Sequence, residues 1–340
     1  MVSLEQIGVM ARAANGNADA IFDWVASSDP RRDHTLRRGG DVKLRIGHIT
    51  DIHVPSEVQL LERLKDFVNN DSITDFAYKI SAIPNALMHT YAGARDLYTT
   101  ILRKTLLGMR RAGVDHLAIT GDLAHCGLET EFLEMQAILR VTGWWDSGQM
   151  SVVPGNHDRF NLYERFAREP MEQFFDVPST RNPRFRELPG GVVLYEIESN
   201  ADRIDDRHFM EDLFPNTVGR IYPEELDFFE AQRLRWAGYR VITLMHHHLS
   251  DDWYDIGAET ILGSLMGPVD GAQSLMDVTK LVDPNSVFLH GHKHDVMVPD
   301  YTLGAHPVSC PGGFAESLSV NFIDVTHNDE IVITQGKVRV

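Results

Sequence analysis

Cysteine is scarce: Cys126 and Cys310 are the only two, far apart and outside any CxxC spacing. This excludes a disulfide framework and a cysteine-ligated zinc site, and fits reduced thiols in a cytosol. No apolar run approaches the length that crosses a bilayer, so no membrane partner is expected. The N-terminus (MVSLEQIGVMARAANGNADAIFDW) lacks a basic segment leading into an apolar one. Its Glu5, Asp19 and Asp23 are foreign to an organellar transit peptide, and a cytoplasmic location is the expectation. Positive charge is short as well. The formal net charge of −17 repels polyanions and speaks against nucleic acid as the main partner. Bound divalent cations would invert that field locally. Internal repeats and low-complexity segments are absent.

What the chain has is material for a core and a surplus of histidine. Its 340 residues are 43% hydrophobic and 24% charged, enough for one large domain with decorations or two modest ones. The sixteen histidines are the unusual count, and many of them cluster.

Residues 1–40 carry a helical pattern around Leu4–Val25 and then a basic, loop-like run. They are read as an N-terminal extension, available to pack on the domain or to act between subunits of a homo-oligomer. Residues 41–340 are read as the main domain, with a helical insertion at about 55–113. In the insertion Leu60, Leu61 and Leu64, and later Leu97, Ile101 and Leu102, recur at three- and four-residue steps; Pro84 and Gly93 interrupt it. It serves either as packing helices or as a lid or dimer arm over the mouth of a site. Strands are expected at Asp41–Thr50, where Val42, Leu44, Ile46 and His48 share one parity, and at Val114–Thr120, Met150–Val153, Gly191–Ile197, Val241–Leu244 and Ser286–Leu289. Helices are expected at Glu129–Val141 and Pro223–Trp236, and a closing hairpin at Leu318–Val325 and Glu330–Val340.

Five of these strands run into loops that carry Asp, Asn or His: Asp51 and His53; Asp122; Asn156 and His157; His246; His292 and His294. Strands alternating with helices make an α/β sheet, whose strand C-terminal ends line one crevice. Residues distant in sequence therefore converge. Imidazole, carboxylate and amide oxygen suit Zn, Mn, Fe and related ions, and two neighbouring cations need a bridging ligand. Asp122, after a tight glycine, is the candidate bridge. Asp51-x-His53 and Gly121-Asp122 alone are weak signals and Gly291-His292-Lys293-His294 a moderate one, and Gly155-Asn156-His157-Asp158 by itself could be a surface turn with a helix cap. The ordered series is strong.

That series, DxH, GD, GNHD, H and GHxH, resembles the calcineurin-like metallophosphoesterase superfamily from Leu44 to about Val325. The text at Asp115–Leu123 and Ser151–Asp158 is similar to the bacterial branch that includes class III cyclic-nucleotide and glycerophosphodiester phosphodiesterases. The resemblance implies an α/β fold of four layers, α-β-β-α, with two mixed sheets and a dinuclear metal site at the strand C-terminal ends. It implies two divalent metal ions (Mn, Fe or Zn). One would take Asp51, His53, Asp122 and His294, the other Asp122, Asn156, His246 and His292. A metal-bridging hydroxide would be the nucleophile and His157 the general acid facing the substrate phosphate.

The sequence departs from the superfamily pattern twice. Protein-phosphatase members read GDxxDRG, whose second Asp orients the catalytic histidine; here the run is Gly121-Asp122-Leu123-Ala124-His125-Cys126, which leaves His125 a supporting place and disfavours a protein phosphatase. The family's His-His-Pro is His246-His247-His248 here; His246 fits the strand register best, and a slip of one residue would substitute His247. The expected activity is hydrolysis of a phosphodiester, or monoester, of a small molecule. The alternatives are a nuclease of the same superfamily, which the acidic balance disfavours, and a non-catalytic metal-binding scaffold, which the intact ligand set disfavours. Substrate choice is expected to lie in the loop after Asn200 and in the insertion.

Overall fold

The computed structural model describes residues 22–24, 40–54, 92–125, 127, 129–159, 170–179, 182–200, 219–250, 269–294, 296–297 and 302–338. The strands are β1 (Phe22–Trp24), β2 (Val42–Ile49), β3 (His116–Thr120), β4 (Met150–Val153), β5 (Arg184–Leu188), β6 (Val192–Glu196), β7 (Arg240–Leu244), β8 (Val287–Leu289), β9 (Thr302–Leu303), β10 (His306–Ser309), β11 (Ser319–Thr326) and β12 (Ile331–Val338). The helices are α1 (Ala92–Arg111), α2 (Glu129–Val141), α3 (Pro170–Phe174), α4 (Pro223–Gln232), α5 (Ala272–Lys280) and α6 (Phe314–Ser317).

The strands form two six-stranded sheets, ordered β1-β12-β11-β2-β3-β4 and β5-β6-β7-β8-β10-β9. Both are mixed. β2, β3 and β4 run parallel while β11 pairs antiparallel with β2. In the second sheet β6, β7, β8 and β10 are parallel, flanked by antiparallel β5 and β9. Strand alternation then builds three apolar seams. Leu44, Ile46, Ala118 and Val153 from the first sheet meet Leu194, Ile242, Leu244 and Leu289 from the second. On the outer face of the first sheet, Leu117, Ile119 and Val152 pack with Ile101, Leu102 and Leu106 of α1 and Phe132 and Met135 of α2. On the outer face of the second, Tyr195, Val241 and Phe288 pack with Phe229 of α4 and Leu275 of α5. The result is the four-layer α-β-β-α sandwich expected from the resemblance.

The expected elements appear with small shifts in their ends, and three regions differ. The helical pattern at Leu4–Val25 ends instead in β1, whose Phe22, Asp23 and Trp24 pair with Val338, Lys337 and Gly336; the residues before it lie outside the described set. Of the insertion, α1 is described and residues 55–91 are not. β5, β9, β10, α3, α5 and α6 were not anticipated. β5 escaped because Arg184 and Arg186 put charge where a strand pattern wants apolar side chains, and both reach buried Glu196, at 3.2 and 3.0 Å.

Two features of this frame carry expected stabilities. Arg45 on β2 is 4% exposed and forks onto Asp324 of β11, with Nε and Nη2 each donating at 2.7 Å, while Nη1 donates to the Ala112 carbonyl at 2.8 Å. Asp324→Ala is expected to cost roughly 3–5 kcal/mol in urea unfolding, because the guanidinium stays buried without its counter-ion. A cost under about 1 kcal/mol would count against the pair.

His48 and His116 lie between the sheets, bonded at Nε2 to Thr120 Oγ1 (2.8 Å) and Ser151 Oγ (2.9 Å). Burial, joined by the charge of His290 at His48 and of Arg186 at His116, lowers both from 6.5 to about 3. The unfolded chain binds these protons near 6.5 and the folded chain refuses them, so the stabilisation is complete above that pH. It is lost as pH falls toward about 3, at about 1.4 kcal/mol per pH unit for each ring. Urea midpoints between pH 7 and 4 check this, and His116→Gln should flatten the slope.

Candidate metal centre

The loops at the C-terminal ends of the parallel strands meet over the gap between the sheets. The loop after β2 is stitched to the loop after β3: Asp51, His53 and Val54 N–H groups donate to the carbonyls of Gly121, Asp122 and Leu123 at 3.1, 2.8 and 2.8 Å. The loop after β8 joins them, its His292 N–H donating to both Asp51 carboxylate oxygens at 3.1 Å. The loop after β4 is fixed by Asp158, whose two oxygens accept from Ala124 and Gly155 N–H, each at 2.9 Å. Asp158 thus clasps two motif loops and sits outside the cluster of donor atoms.

Backbone conformation is unusual here. Asp51, His53, Asp122, His292 and His294 all have positive φ, at 49°, 48°, 51°, 76° and 58°. Only two other non-glycine residues share this among the described residues, Leu318 and Asp329. Such strain persists where the surroundings over-determine it, characteristically at functional sites. The motif glycines answer a packing need. A Cβ on Gly155 would overlap the Asp122 carboxylate, and one on Gly291 would overlap Thr50 Oγ1 and the Asp51 carboxylate.

These constraints bring the candidate ligands together. Asp51, His53, Asp122 and His294 each offer a donor atom, all within 4.8 Å of one another. Adjoining them, Asn156 Oδ1 lies 2.9 Å from His246 Nε2 and 3.0 Å from His292 Nδ1. His246 Nε2 is also 3.5 Å from Asp122 Oδ2, so Asp122 touches both groups. Of the two histidines left open by sequence, His246 is the one at Asn156 and Asp122. His247 turns its Nδ1 to Ser199 Oγ at 3.0 Å.

Hydrogen-bond chemistry tests whether cations fit. His246 Nδ1 donates to the Thr120 carbonyl at 2.9 Å, so its neutral ring has a bare Nε2. Burial favours that neutral ring. Its lone pair therefore faces Asn156 Oδ1 and Asp122 Oδ2. His53 and His294 face each other Nε2 to Nε2 at 3.2 Å. Asp51 and Asp122 are 0% and 1% exposed, and among the described residues their close ion partners are histidines alone. Burial raises Asp122 well above the carboxylate range, with Asp51 and Asp158 adding to it. Burial pushes Asp51 up too, yet His294 and His246 hold it at about 2. Two buried carboxylates that resist joint ionisation, ringed by desolvated imidazoles, fit cations.

His157 lies outside the group of Asp51, His53, Asp122 and His294 but beside it, next to His53. Its Nδ1 donates to the His125 carbonyl at 2.8 Å, and its backbone N–H donates to Asp122 Oδ1 at 2.8 Å. The ring is half-buried, 4.7 Å from the His53 ring between centroids. Burial lowers it to about 4, against the raising effect of the His125 carbonyl.

Residues 44–296 match the family described as calcineurin-like phosphoesterase. The chain belongs to that family. As a calcineurin-like phosphoesterase it is a hydrolase of phosphoric ester bonds. Among solved structures it is similar to a dimetal phosphatase from Danio rerio, at 16% identity and TM-score 0.55 over 88% of this chain and 98% of that one. A purple acid phosphatase from yellow lupin seeds is 12% identical, with TM-score 0.42 over 87% of this chain and 54% of that one. No curated protein matches it.

Some supporting residues escaped the sequence reading. Ser199 Oγ accepts the N–H groups of both His246 and His247 at 3.1 Å, and Asn200 Nδ2 donates to the Pro154 carbonyl at 3.2 Å. They follow β6, the sixth strand to end in polar residues, so the rule that found the other loops applies to them. Glu198, 2% exposed, pairs with Arg159 in the turn after His157. His48 and His290 stay outside the cluster; His290 bonds the Gly291 carbonyl (3.0 Å) and Met297 Sδ (3.3 Å).

Proposed function

We propose that the protein hydrolyses a phosphodiester or monoester of a small molecule, with two divalent cations and with His157 as general acid. One observation carries the reading: two fully buried carboxylates share one set of close-packed imidazoles, with His157 fixed beside them. Asp51, His53, Asp122 and His294 would hold one cation, and Asp122, Asn156, His246 and His292 the other. Mn, Fe and Zn all suit these donors. Bound together, such cations supply Lewis acidity and neutralise the charge that builds during an in-line displacement.

The chain's own residues do the rest. Because Nδ1 of His157 is committed to the His125 carbonyl, Nε2 is the atom that exchanges a proton with the leaving alkoxide. The neutral ring has no proton there, and a phosphoryl anion beside it favours the protonated form it needs. Asp122 carries the backbone of His157 on Oδ1, so the acid and the cations are registered to one carboxylate. Asp158 keeps the two loops in that register.

The test is hydrolysis of bis(p-nitrophenyl) phosphate and p-nitrophenyl phosphate by Mn²⁺-loaded protein. Turnover of either supports the reading, and turnover of neither ends it. A net charge of −17 favours a small-molecule phosphoester over nucleic acid. Single-stranded DNA should be neither bound nor cut; cleavage would move the protein to the nuclease reading.

A further inference from the structure

His125 is the motif residue to which the reading above gives no side-chain task. It follows Asp122 by three positions on the loop after β3 and is half-buried. Its ring lies nearly parallel to that of His157, 5.7 Å away with 26° between planes, and edge-on to His53 at 5.6 Å. One nitrogen from each of the three rings lies within 4.8 Å of the other two. The carbonyl of His125 already holds His157 Nδ1, so the His125 ring is tethered beside His157 by the same residue that orients it.

The surroundings decide what such a face can receive. The carboxylates of the site, Asp51, Asp122 and Asp158, are at most 1% exposed, whereas the imidazoles of His125, His157 and His294 are half-buried. Among the described residues of the cluster, then, imidazole edges are what a ligand meets first. A further cation on the trio would have to share His53 with the deeper cluster, and the trio brings no carboxylate to offset its charge. A tetrahedral oxyanion fits better. It carries several equivalent acceptor oxygens, and two imidazoles on the neighbouring loops after β3 and β4 can each donate to a different one.

We infer that His125 is a second substrate-contacting residue, whose ring N–H donates to an unsubstituted oxygen of the phosphoryl group faced by His157. The inference rests on the phosphoesterase reading of the site. Two donors on separate oxygens fix rotation of the phosphoryl group, which aligns the leaving oxygen with His157 Nε2. The ligand class is a phosphoryl group that keeps at least two unsubstituted oxygens, as in a monoester, a diester or orthophosphate itself.

Orthophosphate is the probe, titrated calorimetrically into full-length protein loaded with Mn²⁺ and freed of excess metal. His125→Ala is expected to weaken its binding about tenfold, the scale of a hydrogen bond to a charged group. His125→Gln, which restores an N–H donor, should recover part of the loss. Manganese content, read by elemental analysis, should equal wild type in both. Unchanged affinity in His125→Ala would overturn the inference. So would a drop in manganese content, which would make His125 a metal ligand, or a wild type that does not bind orthophosphate. Should the wild type bind orthophosphate through His125 yet hydrolyse no ester, the contact stands and the hydrolytic reading fails.

Discussion

His157→Ala is expected to lower kcat by about 10²–10⁴-fold, the usual worth of a positioned general acid, with the metal content unchanged. The separation follows from geometry. What ties His157 to Asp122 is a backbone N–H at 2.8 Å, which alanine keeps. What the substitution removes is the ring, whose Nδ1 is held by the His125 carbonyl, so that the proposed proton transfer falls to Nε2. Neither nitrogen belongs to the group formed by Asp51, His53, Asp122 and His294. The loss should be smaller for substrates whose leaving group is a weak base, since p-nitrophenolate departs with little need of a proton while an alkoxide does not. Steady-state kinetics on one aryl and one alkyl ester, with elemental analysis of each variant, checks both parts. A variant that loses metal in step with activity would make His157 a structural or ligating residue. One that stays within a few-fold of wild type on the alkyl ester would remove it from the reaction.

The site was legible in the sequence to the extent that each ligand-bearing loop follows an apolar run. β2, β3, β4, β7 and β8 are nearly all buried, so they read as hydrophobic stretches, and the change to Asp, Asn or His at each end marks where the sheet stops. Asp51, His53, Asp122, Asn156, His246, His292 and His294 were found that way, and the structure places them in one cluster. What sequence left open was decided by backbone detail. His246 rather than His247 meets Asn156 because its Nδ1 reaches the Thr120 carbonyl, a main-chain acceptor that any residue at position 120 would supply. The support of His157 is likewise a carbonyl, that of His125, so the missing carboxylate in Gly121-Asp122-Leu123-Ala124-His125 says nothing about whether the ring is oriented. β5 and β9 were invisible for a different reason. One buries charge against Glu196, and the other is two residues long.

Asp122→Ala is expected to be the most damaging single change, taking hydrolysis to background because neither cation site survives it. The carboxylate is where the two halves of the cluster meet: Oδ1 accepts the His157 N–H at 2.8 Å, while Oδ2 lies 3.5 Å from His246 Nε2 and 3.7 Å from His53 Nε2. Groups that merely orient metal ligands cost roughly 10–100-fold in metal affinity when removed, and a ligand common to both positions should cost more. Stability should move the other way in the metal-free protein. Burial, Asp51 and Asp158 all disfavour the ionised Asp122, and the His157 N–H and His294 offset them only in part, so deleting the carboxylate removes a buried ionisation penalty. Metal-free Asp122→Ala should therefore melt no lower than metal-free wild type. Adding Mn²⁺ should raise the melting temperature of wild type by mass action and leave the variant where it was. A variant that still binds two equivalents of manganese, or still gains thermal stability from it, would show that Asp122 is not the shared ligand and would break the assignment of the centre.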